Sequence, residues 1–200
     1  VLLVFSCVSP EKNLKHLKIN PQVIAYYAGN EKSIDEFNLT GVDQLIYSFL
    51  HLKGTKLSID NEADSLTLLN VIAQKKKYPK LKVLVSLGGW GGCKTCSDAF
   101  STKKGRTDFA ISTANIIESY QADGIDLDWE YPGISGFPGH KYQPGDRENF
   151  TELVLELRKH MNKGDILSFA AGANANDYFE KSIEWNKVMP LVDNVNLMTY

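Results

Sequence analysis

The sequence predicts an α/β fold built on a parallel sheet, from two observations. Short apolar, β-branched and aromatic runs alternate with segments whose apolar residues recur at helical spacing. No Pro/Ser-rich linker or low-complexity stretch divides the 200 residues, so residues 21–200 are expected to form a single globular unit. Six strand candidates leave two architectures open: a doubly wound sheet, or a (β/α)8 barrel that requires eight strands. In either one a ligand site forms at the carboxyl ends of the strands.

The elements follow in order. Runs at 23–27 and 44–50 come first; Leu66, Leu69, Ile72 and Ala73 then fit one face of a helix before a third run at 81–87. Phe109, Ile116 and Tyr120 mark a second helix ahead of the run at 124–129. The clearest helix covers about 147–161, with Phe150, Leu153, Val154, Leu157 and Met161 as its stripe and Asp146 as the expected N-cap. Runs at 166–171 and 194–200 complete the set, and Ala170, Ala171 and Gly172 are small residues that would leave room on the inner face.

Within the fourth run, Asp126, Asp128 and Glu130 recur with period two, so in a strand they share one face at roughly 6 to 7 Å from one to the next. Ile125, Leu127 and Trp129 make the other face apolar, which argues against an edge strand of solvated acids. Three carboxylates this close cannot all stay ionised, so at least one proton is held near neutral pH and is available to a general acid.

Composition excludes several function classes. A net charge of -2 and a pI near 6.1 provide no basic field for nucleic acid or anionic lipid. No apolar run reaches the length of a membrane span. One C-x-x-C, Cys93 with Cys96, cannot complete a zinc site alone, so no metal or cofactor is expected; a local disulfide, or free thiols stiffening a loop at the cleft rim, is the preferred reading over a redox motif. The opening Val1 to Cys7 reads as the tail of a secretory signal ending at a lipidation Cys7, so 1–20 are expected to be a signal tail or tether; an N-terminal strand, or a cleaved signal with an incidental Cys, stays open beside it.

The stretch Asp123-Gly124-Ile125-Asp126-Leu127-Asp128-Trp129-Glu130 resembles the D-x-x-D-x-D-x-E signature of family 18 glycoside hydrolases, the chitinase family, at the end of the fourth strand of a TIM barrel. Ser86-Leu87-Gly88-Gly89-Trp90 is similar to the family's third-strand motif, and Met198-Thr199-Tyr200 to its sixth-strand motif. The resemblance covers 23–200. It implies a (β/α)8 barrel truncated after about the sixth strand, in part of an exported, bacterial type of endo-acting chitinase that cleaves β-1,4 linkages with retention and is monomeric when complete.

It also implies roles. Glu130 would protonate the glycosidic oxygen, the substrate's own acetamido group would attack to give an oxazolinium ion, and Asp128 would stabilise the acetamido N–H. Asp126 would hydrogen-bond Asp128, and Tyr200 would position the acetamido oxygen. Trp90 and Tyr131 are expected sugar platforms, with Tyr27 and Phe49 nearer the floor. Asp123, Ser86, Gly88 and Gly89 are assigned to structure. The partner implied is chitin or its N-acetylglucosamine oligosaccharides. An endo-β-N-acetylglucosaminidase of glycoprotein glycans, a non-catalytic chitin-binding lectin and a redox module at Cys93 and Cys96 are the alternatives.

Overall fold

The computed structural model describes residues 21–173 and 177–200; the expected signal tail and Cys7 lie outside them. The strands are β1 (Ile24–Tyr27), β2 (Gln44–Lys53), β3 (Lys56–Ser58), β4 (Lys82–Gly88), β5 (Gly124–Asp128), β6 (Ile166–Gly172) and β7 (Asn194–Met198). The helices are α1 (Glu62–Lys77), α2 (Cys96–Phe100), α3 (Lys103–Tyr120), α4 (Asp146–His160) and α5 (Trp185–Val188). No helix among the described residues is long and apolar enough to cross a membrane.

The parallel strands run in the order β1-β2-β4-β5-β6-β7, which is their order in sequence. A doubly wound sheet reverses its order at a switch point, whereas this one does not. Its last strand also reaches the first two across the concave side, where Asn196 Nδ2 donates to Tyr26 Oη of β1 at 2.9 Å and Asn194 Nδ2 to Gln44 Oε1 of β2 at 3.2 Å. The architecture is therefore six consecutive strands of a (β/α)8 barrel, curved about a lumen.

Alternation sorts the side chains of each strand. Val83, Val85, Leu87, Ile125, Leu127, Leu167, Phe169 and Ala171 face outward into one core with Phe109, Phe150, Leu153, Val154 and Leu157 of the helices. Ile46 and Leu84 point inward in a paired row and close the lumen with apolar surface. The next inward row is polar: Ser86, Asp126 and Ser168 lie side by side in register.

Three expectations need correction. The buried face of α1 carries Thr67, Leu68, Val71 and Gln74, while Leu66 and Leu69 are exposed. Thr67 Oγ1 satisfies itself on the Ala63 carbonyl and Gln74 Nε2 on Asp35, so two polar residues occupy a face that a count of apolar positions overlooks. Asp146 is not the N-cap of α4 but its first residue: the side chain is buried, accepts Gln143 N at 2.8 Å and takes Ser97 Oγ at 3.0 Å. Ala171, expected in the lumen, packs outward into the core.

The sequence reading also missed a hairpin. Beyond its barrel segment β2 continues to Lys53, turns at Gly54 and pairs antiparallel with β3. The outer edge of β3 is capped rather than left open, since Leu57 N donates to Ser112 Oγ of α3 at 2.9 Å and Thr55 Oγ1 to Asp108 at 2.8 Å.

Candidate active site

The chain places its carboxylates at the carboxyl end of β5. Asp126 and Asp128 are strand residues; Glu130 lies two residues further, past the last strand position, and all three side chains are buried. Gly88 pairs with Asp128 in register at φ +103°, where a Cβ would lie 2.4 Å from the Asp128 carbonyl oxygen, so only glycine lets β4 approach there. Gly89 follows at φ +77°, its α-carbon turned toward the Phe49 ring, and the peptides Ser48–Phe49 and Glu130–Tyr131 are cis.

Asp126 is fully buried and accepts four donors: Tyr26 Oη at 3.0 Å, Ser86 Oγ at 2.9 Å, Ser168 Oγ at 2.6 Å and Asn196 Nδ2 at 3.1 Å. Burial raises its pKa, against the four hydrogen bonds, which favour the charge. The expected hydrogen bond to Asp128 is replaced by these contacts. Tyr26, drawn into the same low-dielectric cluster, has its own pKa raised by burial and then by the Asp126 charge.

Asp128 is in the opposite condition. Its Oδ1 is buried with no hydrogen-bond partner, and burial, then the charges of Glu130 and Asp126, push its pKa up to about 8. The Glu130 pKa is also raised by burial, partly opposed by the Tyr131 hydroxyl beside it. These two carboxyls hold protons that ordinary carboxylic acids release near pH 4.

Asp123 sits at the opposite end of β5. It binds Val83 N at 2.9 Å and pairs with Lys75 at 2.7 Å and Lys82 at 3.0 Å, joining the base of the strand to β4 and α1. Burial raises its pKa, but the contacts with Lys75, Val83 N and Lys82 outweigh this and leave it lowered.

Above the carboxylates a cleft of about 240 Å³ is lined by Tyr26, Ser48, Phe49, Asp128, Ala170, Asn196, Met198 and Tyr200. Phe49, Ala170 and Tyr200 are thus brought to the site, with Tyr200 fully exposed at its mouth. Tyr131 adjoins Glu130 and packs on Phe179 at 4.8 Å, and Trp90 is 58% exposed on the rim. Tyr27 turns away: its hydroxyl donates to Asn30 O and its ring packs on Phe37, so its neighbour Tyr26 is the aromatic that faces the carboxylates. Ser86 does more than permit close strand packing, because it holds Asp126. Ser168, Asn196 and Tyr26 were missed; the available signals were the alternating Asn194 and Asn196 of β7 and the lone Ser168 in an otherwise apolar β6.

Cys93 and Cys96 form a disulfide, Cα to Cα 5.2 Å, that joins the loop after Trp90 to the first residue of α2. Among the described residues no group of three His, Cys, Asp or Glu side chains is arranged to hold a metal ion.

Comparison with known proteins identifies the family. The sequence model of the family described as glycosyl hydrolases family 18 matches residues 22–200. Chitinase A1 of Niallia circulans is 34% identical over 145 residues, covering 69% of the chain and 20% of that protein. Mouse chitotriosidase-1 is 31% identical over 164 residues, 78% of the chain and 34% of that protein. The crystal structure of the chitinase domain of the spore coat protein CotE from Clostridium difficile superposes with a TM-score of 0.83 at 36% identity, over 94% of the chain and 52% of that domain. The chain thus spans about half of this solved domain, and about a fifth and about a third of the two curated relatives.

Proposed function

Because the chain belongs to family 18 of the glycosyl hydrolases, we propose that its protein is a chitinase that cleaves β-1,4 bonds between N-acetylglucosamine units with retention of configuration, using the substrate's acetamido group as nucleophile. The observation that carries the mechanism is the buried, unpartnered Oδ1 of Asp128 beside the cleft. An unpaired buried acceptor costs free energy, and a substrate N–H brought to it restores the missing bond. Once that N–H is held, the acetamido oxygen is directed at the anomeric carbon, the proximity effect that makes an intramolecular nucleophile efficient.

Glu130 is the proton donor in this reading. Burial raises the pKa of its carboxyl, the direction a general acid requires, and after leaving-group departure it accepts the proton of the attacking water. In its ionised form Asp128 balances the positive charge that grows on the acetamido nitrogen. Asp126, fixed by four donors, stands behind it as a rigidly held carboxyl. Tyr200, at the cleft mouth, is assigned to the acetamido oxygen, and Trp90, Tyr131 and Phe49 to sugar faces. A polymer of this size must be met outside the cytoplasm, so export belongs to the proposal.

The experiment is digestion of partly deacetylated chitosan followed by mass spectrometry of end-labelled products. Every new reducing end is expected to carry N-acetylglucosamine, because glucosamine has no acetamido nucleophile. Frequent glucosamine at that end would reject substrate assistance.

A further inference from the structure

The loop after β5, residues 131–145, is absorbed into the site only at Tyr131, yet it delivers two more rings to the rim. Phe137 lies 5.5 Å from Trp90, centroid to centroid, with planes at 69°, and His140 lies 4.7 Å from Phe137 on its other side. Phe137 is the ring that Trp90 touches among the described residues, and it also backs the turn at Gly91, where a Cβ would meet it at 3.2 Å.

Both ends of this aromatic pair are built into the frame of the site. Gly136 packs so closely beneath Glu130 that a Cβ there would lie 2.0 Å from the Glu130 carbonyl oxygen. On the other side the Cys93–Cys96 disulfide ties the Trp90 loop to α2, and α2 is tied to the loop after β5 by Gln143 Nε2 to Ser97 O at 3.1 Å and by the ion pair of Lys141 with Asp98. An exposed indole on a bare loop samples several rotamers and loses their entropy when a sugar stacks on it. An edge contact from a fixed ring removes part of that cost.

We propose that Phe137 is a positioning residue for Trp90, holding the indole as a preorganised platform for an N-acetylglucosamine ring that lies beyond the reacting pair. The proposal rests on the chitin reading above. It makes the Trp90–Phe137 pair the determinant of preference for chains long enough to reach the rim.

The test is isothermal titration calorimetry of chitohexaose and chitobiose in a Glu130→Gln background, which binds without turning substrate over. Phe137→Ala is expected to weaken chitohexaose about three- to tenfold, the strength of an aromatic pair, and to leave chitobiose unchanged. Phe137→Leu, which keeps apolar bulk without a ring edge, should behave like the alanine variant, and Phe137→Tyr should restore affinity. In Trp90→Ala, adding Phe137→Ala should cost nothing further, because the two act as one unit. Additive losses, or unchanged chitohexaose affinity in Phe137→Ala, would overturn the proposal alone. Failure of the Glu130→Gln protein to bind any chitin oligosaccharide would overturn it together with the chitin reading.

Discussion

Asp128 occupies a position where a carboxylate is costly to keep charged. With a folded pKa near 8, against about 4 in an unfolded chain, the native protein holds the extra proton throughout that interval. Stability therefore falls as pH rises from about 4 to about 8. Asp128→Asn removes this opposition, so the variant should melt several degrees above the parent at pH 7.5, with the gap closing toward pH 4, while turnover collapses. Scanning calorimetry of both proteins across that range is the check; parallel curves would contradict it. Glu130→Gln preserves shape but not the proton, and turnover on chitin oligosaccharides should drop by ~10²- to 10⁴-fold with binding retained. At this scale the sequence was readable where period two exposed it, in Asp126, Asp128 and Glu130. It was unreadable at Tyr26 and Tyr27, where two adjacent tyrosines fit either phase of β1 and only the assembled lumen distinguishes them.

Elements here are joined by a few buried polar contacts as well as by apolar packing. Gly145, which precedes α4, has no side chain to cap the helix, and Asp146 closes that turn from inside it while gripping α2 through Ser97. Asp146→Ala leaves a buried hydroxyl and a partly buried backbone N–H unpaired, so it should cost about 1 to 3 kcal/mol. A urea transition shifted to lower midpoint with unchanged slope would report this, whereas an unshifted midpoint would place the tie elsewhere. The stripe of α4 was plain because its inner face is uniformly apolar. The inner face of α1 mixes Thr67 and Gln74 with Leu68 and Val71, and its outer face keeps Leu66 and Leu69, so spacing alone selected the wrong side. The β2–β3 hairpin escaped notice because its second strand is three residues long, although Lys53-Gly54-Thr55 carries a turn signal.

For the whole molecule, two titrations of opposite sign meet. Asp123, with its pKa lowered by Lys75, Val83 N and Lys82 against burial, stabilises the fold above about pH 4 and loses that contribution as pH falls through its depressed value. Asp128 acts in the other direction above it. Thermal stability should therefore peak on the mildly acidic side, between about pH 4 and 6, and a maximum at pH 7.5 or higher in a melting series would refute this balance. Alternation of strands and helices made the α/β class legible, but not its curvature: a parallel sheet that bends into a barrel and one that stays open have the same local pattern, and only the three motifs favoured the barrel. Curvature becomes visible in Asn196, which reaches Tyr26 from 170 positions away and Asp126 from 70. The bond to Tyr26 closes the longer of these two loops, and the entropic cost of closure grows with loop length. Until β7 docks, Asp126 lacks one of the four donors that offset its burial, and the same side chain that serves chemistry penalises every partly assembled barrel. The active site thereby acts as a proofreader of folding, making completion of the sixth strand cooperative with burial of this carboxyl.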